Sequence, residues 1–186
     1  MLDKLLQGVE VRSLVGDGTV AVGRLEFDSR KVVPGTLFFA TRGTQADGHA
    51  YIPAAVAAGA AAVVCEELPA ERPVGVTFVQ VPDSTVALGQ VASAFYGHPS
   101  RRLKLVGVTG TNGKTTTATL LYRMFRRLGY KAGLISTVVY CVDDREIPST
   151  HTTPDSIRLN AMMAEMVEAG CDYCFMEVSS HSLGQH

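Results

Sequence analysis

A chain of 186 residues, 46% hydrophobic and 19% charged, has room for one medium domain or two small ones with a sizeable core. Its net charge of −1 comes without a long basic run, the nearest approach being Arg123, Arg126 and Arg127 on one helical segment, so nucleic acid is not an expected partner. The start, Met1-Leu-Asp-Lys-Leu-Leu-Gln, is too short and too acidic for a signal peptide, and the longest apolar stretch, residues 52–65, is broken by Pro53 and Gly59, so no membrane span is expected.

In chain order, the first block reads as a short N-terminal helix followed by strands at residues 25–28, 36–40, 61–66 and 77–81, with helices at 51–58 and 85–96. That alternation argues for a small α/β layer structure. Within it, residues 28–38 join the polar turn Asp28-Ser29-Arg30-Lys31 to Pro34-Gly35, a type II turn signal, and on local grounds read as a hairpin. Asp47-Gly48-His49 reads as a turn and the start of a helix, with no role evident for His49. The polar segment 97–102, with Gly97 and Pro99, separates this block from the next.

The second block reads as a strand at 103–108, a helix at 117–128 ended by Gly129, a strand at 132–139, a loop at 143–154, a helix at 156–169 and a strand at 172–178. A βαβαβ order predicts a parallel sheet with right-handed crossovers and ligands at the carboxyl ends of its strands. Gly110 to Thr116, Thr152-Thr153-Pro154, and Glu177 with Ser179-Ser180-His181 all fall at or near those ends. The chain stops at His186, just past its third central strand, so a fragment of a longer protein is expected.

The run Gly110-Thr111-Asn112-Gly113-Lys114-Thr115-Thr116 follows an apolar stretch that reads as a buried strand and opens a stretch that reads as a helix. There, backbone N–H groups, the positive helix end and the Lys114 ammonium converge on one point and stabilise an anion. Thr115, directly after the lysine, is placed to ligate a magnesium ion between β- and γ-phosphates. The strict phosphate-loop pattern asks for glycine five residues before Gly113, and Val108 stands there; the plainer alternative is an ordinary turn. Glu177 ends an apolar strand beside the loop and suits magnesium binding, against the plainer reading of a solvated strand-end carboxylate. Thr152, Thr153, Ser179 and Ser180 could bind carboxylate or phosphate oxygens or cap helices, and local grounds leave both open. Ser179 and Ser180 lack the Gly-x-Ser-x-Gly setting of a nucleophilic serine, and His49, His98, His151, His181 and His186 lack zinc-ligand spacing. Cys171 and Cys174 lie on a strand rather than at a helix start, so the four cysteines are expected to be reduced core residues in a cytoplasmic protein.

Taken together, Asp28-Ser-Arg-x-Val-x-Pro-Gly35, Asp47-Gly-His-x-Tyr51, Gly110-Thr-Asn-Gly-Lys-Thr-Thr116, His151-Thr-Thr-Pro154 and Met176-Glu-Val-Ser-Ser-His181 resemble the Mur ligases of peptidoglycan synthesis, and among them the MurE group. The resemblance implies an α/β chain: residues 1–99 as the UDP-muramoyl-peptide-binding domain and 100–186 as the first part of a P-loop, parallel-sheet ATPase domain. It implies ATP on Gly110, Thr111, Asn112, Gly113, Lys114, Thr115 and Thr116, with Lys114 catalytic and Mg2+ on Thr115 and Glu177. Ser29, Thr152, Thr153, Ser179 and Gln185 match positions that hold UDP-MurNAc-L-Ala-D-Glu in such ligases. The amino acid added, meso-diaminopimelate or L-lysine, would be chosen by groups further along the family's sequence, and a monomer is expected. Rival readings are a folylpolyglutamate-synthase-like ligase, which would not be expected to carry the Asp-Ser-Arg and Asp-Gly-His block, and a nucleotide-binding module without catalysis.

Overall fold

The computed structural model describes residues 1–43, 46–148 and 154–178, and divides the chain into two compact units, Met1–Phe95 and Tyr96–His186. The first holds α1 (Leu2–Leu5), β1 (Ser13–Val15), β2 (Arg24–Glu26), β3 (Thr36–Phe39), α2 (Ile52–Ala57), β4 (Ala60–Cys65), β5 (Thr77–Gln80) and α3 (Ser84–Phe95). Its sheet runs β1-β5-β4-β3-β2, with β2 to β5 parallel and β1 antiparallel on β5. All four residues of β3 are buried, as in a strand covered on both faces. Alternation sends Phe38, Val63 and Phe78 toward a core shared with Ile52 and Ala55 of α2. Leu37, Val64 and Val79 then face the other way, the side on which α3 packs against β3 and β4.

Residues 28–38 do not form the expected hairpin, because β2 and β3 pair in parallel, with Arg24 beside Thr36 and Glu26 beside Phe38. The Pro34-Gly35 turn is present: Gly35 has φ +84° and the Thr36 N–H donates to the Val33 carbonyl at 3.1 Å. A 3-10 turn over Ser29–Lys31 precedes it, started by the Asp28 carboxylate accepting from the Arg30 N–H. Two turns in succession restore the original direction, which neither turn signal specifies alone. Strand β1 is a further difference; with only three residues, two of them exposed, it carries almost no periodic signal.

The second unit holds β6 (Lys104–Val108), α4 (Lys114–Arg127), β7 (Ala132–Ile135), β8 (Val139–Val142), β9 (Arg145–Pro148), α5 (Ser156–Glu168) and β10 (Tyr173–Glu177). The sheet order is β6-β10-β7-β8-β9, parallel over the first three strands and antiparallel over the last two. The two helices cover opposite faces: Leu134 and Phe175 pack with Ala118, Leu121 and Phe125 of α4, while Ile135 and Cys174 pack with Met162, Met163 and Met166 of α5. Gly133 lets α5 approach, since a Cβ there would lie 2.3 Å from the Met166 sulfur.

The single strand expected at 132–139 is two strands, broken at Ser136. Its hydroxyl oxygen accepts from the Val138 and Val139 N–H groups at 3.3 and 3.1 Å and donates to the Val139 carbonyl at 2.8 Å. The loop expected from 143 begins instead as the β8–β9 hairpin, turning at Asp143, whose φ of +52° is the left-handed conformation a two-residue hairpin turn requires. Arg126 of α4 pairs with Asp143 and Asp144 at this turn. Helix α4 starts at Lys114, three residues before the expected 117, because Gly113 at φ +78° ends the loop and the β-branched Thr115-Thr116-Thr117 hides the first turn from a propensity reading.

Candidate functional site

In a parallel sheet all carboxyl ends lie along one edge, and in the second unit the register fixes what meets there. Glu177 stands beside Val108 across β10 and β6, and Met176 beside Ile135 across β10 and β7. The loop after β6, the end of β10 and the Ser136-Thr137 turn after β7 therefore converge. Gly110 has φ +142° and Gly113 φ +78°, backbone states that side-chain-bearing residues rarely adopt, so the loop reverses tightly into α4. The first intrahelical hydrogen bond of α4 is Thr117 N–H to the Gly113 carbonyl at 2.9 Å. The amides of Lys114, Thr115 and Thr116 precede it, and no side-chain cap or first-turn acid answers them among the described residues.

Lys114 lies back over the loop, its ammonium donating to the Gly110 carbonyl at 2.7 Å on an exposed surface. The Thr115 hydroxyl donates to Glu177 Oε2 at 3.0 Å, so the two expected metal ligands touch. The same Oε2 accepts from the Thr137 N–H at 3.1 Å and the Thr137 hydroxyl at 3.2 Å. Thr137 is absent from the sequence reading, which ran a strand straight through it; the polar Ser136-Thr137 pair inside an apolar run was the available signal. The site is open: loop residues 109–113 are all exposed. A hydroxyl and a carboxylate are hard oxygen donors, the kind magnesium takes when it keeps most of its water.

Ser29 lies in the first unit, opening the Ser29–Lys31 turn at the carboxyl end of β2. Asp28 beside it is held down to a pKa of about 2, chiefly by the hydrogen bond from the Arg30 guanidinium, which reaches its two oxygens at 2.9 and 2.8 Å. Thr152, Thr153, Ser179 and Gln185, with Ser180 and His181, lie outside the described residues. The four cysteines are buried and free. Burial pushes Cys65 up to about 11 and Cys174 up to about 12, and raises Cys141 and Cys171, so they are core thiols rather than nucleophiles. Among the described residues no helix is long and apolar enough to cross a membrane.

Comparison with known proteins gives these local features a family. The profile of the Mur ligase family catalytic domain matches residues 22–96, and that of the Mur ligase middle domain matches residues 108–186. The UDP-N-acetylmuramoyl-L-alanyl-D-glutamate--2,6-diaminopimelate ligase of Bacteroides thetaiotaomicron is 54% identical over 185 residues, 100% of this chain and 38% of the relative. The ligase of that name from Bacteroides fragilis is 56% identical over 184 residues, covering 99% of this chain and 38% of its own length. A solved structure of a UDP-N-acetylmuramoyl-L-alanyl-D-glutamate--2,6-diaminopimelate ligase superposes with a TM-score of 0.73 at 25% identity, covering 88% of this chain and 33% of that one. The chain thus spans well under half the length of these relatives. Two profiles of one family matching in succession, and relatives more than half identical along the chain, place it in the Mur ligase family.

Proposed function

We propose that this chain serves, within a protein of its relatives' size, an ATP-dependent ligase that joins meso-diaminopimelate to the D-glutamate of UDP-MurNAc-L-Ala-D-Glu in peptidoglycan precursor synthesis. The observation that carries the reading is the strand–loop–helix of residues 104–127, with the Lys114 ammonium over the loop and the Thr115–Glu177 pair beside it. The relatives' names supply the substrates. On this reading residues 1–99 hold the UDP-muramoyl peptide, with Ser29 as one contact. Residues 100–186 begin the ATP-binding domain. Four buried free thiols fit a reducing, cytoplasmic setting.

A carboxylate meeting ATP is an anion meeting a polyanion, so catalysis rests on cancelling charge at the transferring phosphoryl group. The amides of Lys114, Thr115 and Thr116 at the start of α4 cradle the phosphates. The Lys114 ammonium, released from the Gly110 carbonyl, follows the charge onto the leaving oxygens. Thr115 and Glu177 would hold magnesium, which neutralises phosphate charge when bound. Thr137 keeps the Glu177 carboxylate aimed through two donors. A carboxylate oxygen of the D-glutamyl residue attacks the γ-phosphorus and the bond to ADP breaks; the amine of diaminopimelate then displaces phosphate from the acyl phosphate to form the amide. The test is phosphate release by the full-length protein. It should require ATP, the UDP-muramoyl dipeptide and diaminopimelate together, whereas release indifferent to the dipeptide would contradict the reading.

A further inference from the structure

The motif Asp47-Gly48-His49 has no part in the chemistry above, yet it forms a latch at the carboxyl edge of the first unit's sheet. After β3 the chain passes Thr41 and Arg42 and closes on itself: Arg42 and Asp47 form an antiparallel bridge, and the Gly48 N–H donates to the Thr41 carbonyl at 2.8 Å. The approach is so close that a Cβ on Gly48 would sit 2.6 Å from that carbonyl oxygen, so glycine is required. Asp47 starts the 3-10 turn over Gly48–Tyr51, its carboxylate accepting from the His49 N–H, and the turn runs into α2. The His49 ring then spans two elements. Nδ1 lies 2.6 Å from Asp47 Oδ1, and Nε2 lies 2.9 Å from the Glu66 amide nitrogen, just past the end of β4.

An amide N–H can only donate, so Nε2 is the acceptor and the ring is neutral with its proton on Nδ1, aimed at Asp47. Arg42 also ties this closure to the end of β4, through Glu66 at 3.2 Å and Glu67 at 2.5 Å. Its side chain is 48% exposed, whereas that of His49 is 14% exposed, although Asp47 is 52% exposed. Ion pairs in water hold little and a part-buried hydrogen bond holds more, so the Glu66 N–H to Nε2 bond is the stronger tie between the two elements. The latch also adjoins the Ser29 segment. The Ser29–Lys31 turn packs against α2, the helix that His49 leads into.

We propose that His49, as the Nδ1–H tautomer, is a positioning residue for UDP-muramoyl-peptide binding, holding the connection after β3 to the end of β4 so that the carboxyl edge beside Ser29 is preformed. The inference rests on the reading of the first unit as the UDP-substrate domain. It is tested in the full-length protein with His49→Asn, which retains a donor toward Asp47, and His49→Gln, which retains an acceptor toward the Glu66 amide. Each should raise KM for the UDP-muramoyl dipeptide about fivefold, the worth of one hydrogen bond, with kcat and KM for ATP within about twofold. His49→Ala should raise it further. Nitrogen-15 spectra of the wild type should show a protonated Nδ1 and an unprotonated Nε2. Unchanged dipeptide KM in both single-bond variants with only a lower melting temperature, an equal loss in both substrates, or a protonated Nε2 would overturn the proposal. A wild type that binds ATP but never the dipeptide would overturn the underlying functional reading, and this proposal with it.

Discussion

The two units present candidate ligand edges of the same kind, the carboxyl ends of parallel strands, but build them differently. In the second unit the edge is mostly backbone: two glycines with positive φ, the first-turn amides of α4, and one lysine whose partner is a loop carbonyl. In the first unit it is a lattice of side chains, with Asp28 clamped by Arg30, His49 spanning Asp47 and Glu66, and Glu66 accepting from Ser84 at the start of α3. An open cradle of amides suits a phosphate that must arrive, react and leave. A cross-linked edge suits a large substrate that must be held still while its carboxylate is activated elsewhere.

The largest expected effect lies on the backbone-built edge. Lys114→Ala should lower kcat of the full-length protein by about a hundredfold or more, the scale of losing one preorganised transition-state charge contact, while dipeptide binding stays within about twofold. Turnover near wild type would remove the loop from the mechanism. Thr137→Ala deletes one of the two donors that this residue gives Glu177, and should cost roughly tenfold in magnesium affinity or activity, with Thr137→Ser restoring most of it. An unchanged magnesium dependence would mean that Glu177 is not aimed by Thr137.

The cross-linked edge should answer in stability first. Gly48→Ala would press a methyl group into the Thr41 backbone and destabilise the first unit by about 2 kcal/mol. Gly23→Ala, with nothing within 4 Å of the added carbon, should stay within about 0.5 kcal/mol in the same melting experiment. Equal melting temperatures would show that the closure at Gly48 is not tight. The smallest effect is the acid response of Asp28. Its folded pKa of about 2 lies below the ordinary 3.8, so its contribution is present above about pH 4 and is lost as pH falls toward 2. Asp28→Asn should flatten that part of the acid unfolding curve, and an identical curve would detach the carboxylate from the fold.

The same contrast explains what could be read from the chain before its structure. A strand, glycine loop and helix are written locally, since glycines, lysine and threonine follow one another in the chain; the loop Gly110 to Thr116 and its neighbour Glu177 were legible as one place for that reason. Thr137 was not, because its role depends on β10 lying beside β7, a neighbour relation that only the sheet order creates. On the first unit the Asp28 and Asp47 turns were visible as turns. The bonds that matter join residue 49 to 66 and 66 to 84, and spacing says nothing about them. The mistaken hairpin at 28–38 has the same origin, since each of its two turns was detectable while the direction of β3 was fixed by pairing with β4.

The most direct test of a phosphate edge and a UDP-substrate edge on separate units is calorimetric titration of the full-length protein, as wild type, Lys114→Ala and Ser29→Ala. The ligands are a non-hydrolysable ATP analogue with magnesium and the UDP-muramoyl dipeptide. The account predicts that Lys114→Ala weakens only the nucleotide and Ser29→Ala only the dipeptide, each by about fivefold to tenfold for one lost contact. Either variant weakening the other's ligand by as much as its own would contradict it.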